Sequence, residues 1–177
     1  MKQTIPKNQL KFYVSAIVNE TFPAEPFDIH AFVEEVRSMG GDLKIVALMM
    51  GASDRSVMNW LNKGNQPNLV HREVGGLMLR EIKKSYSAKR SLINLVIETQ
   101  NQLFPISKTP FNLQQFVWAI QDIGGSYDIV CDLMRCSPRM LHYWMSSGCS
   151  SATHIQIGVF LKSKLDERLF QDQSLAA

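Results

Sequence analysis

Strand signals are nearly absent from this 177-residue chain, and their absence removes any expectation of a sheet. Apolar residues recur instead at helical spacing. No run of about eighteen apolar residues occurs, so nothing reads as a bilayer span. The start, MKQTIPKNQLKFYV, has neither the apolar core nor the small-residue cleavage site of a secretory signal; the expectation is a cytoplasmic protein with no membrane partner. The three cysteines, Cys131, Cys136 and Cys149, form no CxxC pair and cannot all pair internally, which points to reduced thiols. Neither a G-x-x-x-x-G-K-S/T phosphate loop nor an H-E-x-x-H helix is present. His30 and His71 have no carboxylate or serine neighbours in a nucleophile arrangement, so the chain is not expected to be an enzyme. Charge of one sign is also lacking: 19 basic and 16 acidic residues leave +3. A nucleic-acid partner is permitted by this balance but not announced by it.

What is present is a repeat. Phe27 to Lys84 aligns without a gap on Phe111 to Arg168, 84 residues on, with 13 identities in 58 positions. Ordinary composition would give about three or four. The matches include Phe32/Phe116, Gly40/Gly124, Gly41/Gly125, Met50/Met134, Ser53/Ser137, Arg55/Arg139, Trp60/Trp144 and Leu77/Leu161. They fall mostly on apolar and glycine positions, where a fold makes its demands.

The periodicity predicts an all-α fold of two tandem, homologous helical bundles, 1–84 and 85–177. In the first copy helices are expected over about 28–39, 42–50, 54–63 and 69–84, and in the second over about 126–134, 138–146 and 152–168 after a helix that repeats the 28–39 pattern. Asp28, Asn112, Ser53 and Ser137 stand where N-caps belong, and Pro138 suits a first helical position. Another amphipathic stretch precedes each copy (9–20 and 90–102), so the repeat includes a fifth, more diverged helix. Gly75-Gly76 inside a helical pattern suggests close helix packing, and Trp60 and Trp144 read as core. The run Arg80 to Arg90 reads either as a phosphate-tracking segment or, preferably, as a solvated linker. The tail from Gln171 is expected to fray.

Leu43 to Trp60 has the layout of a helix-turn-helix. Ala47 gives a small residue where two helices cross, Gly51 allows a sharp turn with positive φ, and Val57 and Trp60 face inward against Val46 and Met50. With the loop Trp60-Leu61-Asn62-Lys63-Gly64-Asn65-Gln66-Pro67, this segment resembles the lambda-repressor and Cro superfamily, in particular its phage-type members. The resemblance covers residues 43–67. It implies that the second helix enters the major groove of double-stranded DNA, with Ser53, Asp54, Arg55, Ser56, Met58, Asn59 and Lys63 outward. Arg55 is suited to guanine and Asn59 to adenine; Ser53, Ser56 and Lys63 are suited to phosphate.

The second copy departs from this pattern. Cys131 replaces Ala47, Arg135 replaces Gly51 and Leu141 replaces Val57. A non-glycine residue in the left-handed region costs about 1 kcal/mol, so the second turn is either strained or different. Its outward face is Arg139, Met140, His142 and Tyr143. These residues suit groove reading or a protein contact, where Met and Tyr are favoured. Cys136, His142, Cys149 and His154 crowd together, but C-x5-H-x6-C-x4-H is not the close-pair spacing of a zinc site, and the first copy has Ala52, Met58, Asn65 and Val70 there. No metal or other cofactor is expected.

The expected function is a sequence-specific transcriptional regulator with two recognition helices in one chain, about 34 Å apart on one duplex face, reading two unlike half-sites. The alternative is a protein-interaction adaptor, binding another regulator or part of a mobile element's replication or transfer machinery. A homodimer, or a partner protein bound through the second module, fits either.

Overall fold

The computed structural model describes residues 5–22 and 26–175. Among them lie ten helices and no strand: α1 Lys7–Thr21, α2 Ile29–Ser38, α3 Leu43–Met50, α4 Asp54–Lys63, α5 Leu69–Ser85, α6 Leu92–Leu103, α7 Leu113–Asp122, α8 Tyr127–Met134, α9 Pro138–Ser147 and α10 Ala152–Leu175. No helix among the described residues is long and apolar enough to cross a membrane.

The helix starts are fixed by short polar side chains that satisfy otherwise orphaned N–H groups. Asp28 accepts from His30 N at 2.8 Å and Asn112 from Gln115 N at 3.0 Å. Asp42 accepts from Ile45 N at 3.0 Å, and Ser53 and Ser137 accept from Ser56 N and Met140 N, each at 3.2 Å. Of the tail expected to fray, residues 171–175 are helical, with the Ser174 hydroxyl donating to Phe170 O at 2.9 Å, and Ala176 and Ala177 lie outside the described residues.

Contacts divide the chain into two compact units, Phe22–Ile106 and Met1–Thr21 together with Ser107–Ala177. The first is contiguous and the second composite. In the contiguous unit α6 packs on α3 and α5, burying Leu92, Leu95 and Val96. In the composite unit α1 packs on α8 and α10, burying Leu10, Val14 and Ile17. The two helices occupy the same slot beside the second glycine of each pair: a Cβ on Gly41 would stand 3.0 Å from Leu92 Cδ2, and one on Gly125 3.2 Å from Leu10 Cδ2. The units therefore do not follow the 84/85 division. An apolar stripe says that a helix must be covered but not by which neighbour, and α1 finds its cover far along the chain.

The run Arg80 to Arg90 stays within the contiguous unit. Lys83 pairs with Glu35, Arg80 and Lys84 with Glu81, and Arg90 with Glu98, while the Tyr86 hydroxyl donates to Met39 O at 3.3 Å. Of the five cations in the run, Lys89 alone has no ion partner among the described residues. The segment ties helices together.

The repeat also carries a gap. The 84-residue register holds from α2/α7 to α4/α9, but α5 and α10 correspond 83 apart, because the connection before α10 is one residue shorter. Two matched contacts establish this. His71 Nδ1 bonds Met50 O at 2.8 Å and His154 Nδ1 bonds Met134 O at 2.8 Å. A Cβ on Gly75 would stand 2.9 Å from Met50 Cγ, and one on Gly158 2.9 Å from Met134 Cγ. Leu161 thus answers to Met78, both fully buried, and its identity with Leu77 is coincidental.

Candidate nucleic-acid interface

The outward helices α4 and α9 are each set by a tight turn. After α3, Gly51 takes φ 62° and ψ 35°, its N–H reaching Leu48 O at 3.2 Å, and Ala52 N returns to Ala47 O at 2.9 Å. This is the paired bonding that ends many helices at a left-handed residue. After α8, Arg135 takes φ 53° and ψ 42°, and Cys136 N bonds Cys131 O at 3.1 Å. The second turn therefore has the same shape as the first, and the expected strain is real: Arg135 is the sole non-glycine residue with positive φ among those described. Its guanidinium reaches back to Asp132 O at 3.4 Å.

A third element then fixes each outward helix from behind. His71 and His154 bond the last carbonyls of α3 and α8, and their rings lie against Trp60 and Trp144, with centroids 5.6 Å and 5.0 Å apart. Each histidine thus touches both helices of its pair. Trp144 is buried (7% exposed) as expected, whereas Trp60 is only half-buried. Sequence reading missed these histidines as a repeated feature because an ungapped register sets His71 against Ile155. The shared H-x-x-x-G of His71–Gly75 and His154–Gly158 was the available signal.

On α4, Val57 is fully buried, which turns Asp54, Arg55, Met58 and Lys63 to solvent and leaves Ser56 and Asn59 half-buried. The Ser53 hydroxyl caps the helix and also shares a 2.9 Å hydrogen bond with the Ser56 hydroxyl. Asp54 sits in the first turn, where its charge complements the helix dipole; it is neither the cap nor an ion partner of Arg55. Arg55 and Lys63 form no ion pair among the described residues, and neither does exposed Lys44 at the start of α3, a position absent from the expected set. On α9, Leu141 is buried and Arg139, Met140, His142 and Tyr143 are exposed, Tyr143 at 64%. Here Asp128 stands in place of Lys44 and Ser147 in place of Lys63. Arg139 is the one fixed cation left on this face.

His142 and His154 do not come together: the first is exposed on α9 and the second is buried against Trp144. No three His, Cys, Asp or Glu side chains among the described residues are placed to hold a metal ion. No protein-family model matches the chain, and no curated protein or solved structure matches it either.

Proposed function

We propose that the chain is a sequence-specific DNA-binding regulator that reads double-stranded DNA through α4, with α9 as a second, weaker reader of an unlike half-site. One observation carries this reading. Four of the five cations in the Arg80–Arg90 run are consumed by internal ion pairs, while Lys44 near the start of α3 and Arg55 and Lys63 at the two ends of α4 have no ion pair among the described residues. A helix with an exposed cation at its start, Arg55, and another at its end, Lys63, on either side of Asn59 supplies both phosphate contacts and base-edge hydrogen bonds. The Gly51 turn and the resemblance to lambda-repressor and Cro proteins support the same reading.

The test is binding of the purified full chain to a selected duplex pool across a salt series. Affinity should fall steeply with salt as counterions are released. Lys63→Ala should weaken binding to all sequences alike and reduce the salt slope by about 1, whereas Arg55→Ala and Asn59→Ala should each cost about 1–3 kcal/mol at one position and relax preference there. Absence of salt-sensitive binding to any duplex would falsify the proposal.

A second reading is favoured specifically for α9. Its exposed Met140 and Tyr143, with one fixed cation, suit a protein partner better than phosphate. An interaction adaptor would hold its partner at high salt and tolerate Arg139→Ala, while losing affinity on Tyr143→Ala.

A further inference from the structure

The α8–α9 turn contains two thiols where the α3–α4 turn has two alanines: Cys131 for Ala47 and Cys136 for Ala52. These positions are not independent. In a helix end closed by a left-handed residue, the residue beyond that turn donates its N–H to the carbonyl five residues back, and a contact between the two side chains frequently accompanies that bond. Cys136 N bonds Cys131 O at 3.1 Å, and the two thiols share a side-chain hydrogen bond. Cys131 is buried, and Cys136 and Cys149 are partly accessible.

We propose that Cys131 and Cys136 form a reversible disulfide across the α8–α9 turn when the protein meets a peroxide or a low-molecular-weight disulfide. With hydrogen peroxide, the more accessible Cys136 attacks as thiolate, one peroxide oxygen is transferred to its sulfur, and the other leaves as hydroxide and takes up a proton to become water. The Cys131 sulfur then attacks the resulting sulfenic acid, the S–O bond breaks, and a second water leaves. Two thiols are oxidised by two electrons and one peroxide is reduced to two waters. With glutathione disulfide the same bond forms by two exchanges, releasing two glutathione thiols. The bridge closes over Arg135 and ties the end of α8 to the residue just before the α9 cap, Ser137. Burial keeps these thiols protonated at neutral pH, so the reaction is slow and quickens with alkalinity. The site is independent of whether α9 meets DNA or protein.

The experiment uses the full chain, reduced and then treated with hydrogen peroxide or glutathione disulfide, unfolded, alkylated and mapped by mass spectrometry after proteolysis. Reduced protein takes up three alkyl groups, one per free cysteine. Oxidised protein should take up one, on Cys149, with Cys131 and Cys136 recovered in one bridged peptide and both freed by dithiothreitol. Cys149→Ser should still form the bridge, while Cys131→Ala and Cys136→Ala should not. The alanine variants restore the pair found at Ala47 and Ala52 and are expected to fold, which far-ultraviolet circular dichroism checks. Recovery of three alkylated thiols after oxidant overturns the proposal, and so does a bridge that maps to Cys149 or lies between two chains.

Discussion

The side chain of His154 satisfies a carbonyl that would otherwise end α8 without a partner, and it does so inside the core, at 9% exposure. His71 does the same for α3 from a half-buried position. Losing a buried partner costs the desolvation of the group left behind, about 1–3 kcal/mol. His154→Ala should therefore lower the urea midpoint more than His71→Ala, since water can replace the lost donor at Met50 O; the reverse order would mean that the ring contacts matter more than the hydrogen bonds. Arg135 offers the opposite sign. Arg135→Gly should stabilise the composite unit by roughly 1 kcal/mol by removing left-handed strain, read as slower hydrogen exchange across α8 and α9. Burial, helped by the neighbouring Cys131, pushes the Cys136 thiol up from 9.0 to about 12. Folding then favours the protonated thiol. Its contribution is whole below pH 9 and is lost as pH rises through 9 towards 12; Cys136→Ala should flatten the loss of stability measured across that window.

At the scale of the element, two adjacent glycines in α5 separate packing from propensity. A Cβ on Gly75 would stand 2.9 Å from Met50 Cγ, inside a side chain that is fully buried and has no room to retreat. A Cβ on Gly76 would meet nothing within 4 Å. Gly75→Ala should cost about 1–3 kcal/mol by overpacking, and Gly76→Ala should gain about 1 kcal/mol from helix propensity; equal shifts in the denaturation midpoint would refute this account. The sequence reading took the two glycines together, and only one makes the close approach. Helix positions and caps were legible, because 3.6-residue periodicity and N-cap chemistry are local: Asp28, Asn112, Ser53 and Ser137 could be placed without knowing the fold. The one-residue step before α10 was hidden by the chance identity of Leu77 with Leu161. On the candidate face, burial of Val57 and Leu141 made the outward residues of α4 and α9 readable. Lys44 was not, because whether a cation is spent on an internal carboxylate depends on tertiary neighbours.

For the whole molecule, the decisive element is α1. Burying Leu10, Val14 and Ile17 is worth about 1.5–3 kcal/mol each, a sum comparable with the total stability of a domain, about 5–15 kcal/mol. Deleting residues 1–21 should therefore speed hydrogen exchange throughout α7 to α10 and leave α2 to α6 as they were. The fragment 22–106 should fold alone with the helix content it has in the full chain. If the deletion instead loosens α2 to α4, the unit assignment of α1 is wrong. The same topology sets an order of events during translation. The contiguous unit is complete once α6 has left the ribosome, but α1, the first helix made, has no seat until α8 and α10 emerge. About 70 residues separate the end of α6 from the end of α10, or roughly 4–14 s at 5–20 residues per second. For that interval the apolar stripe of Leu10, Val14 and Ile17 is carried uncovered on a nascent chain, where a chaperone or a neighbouring polysome's product can take it.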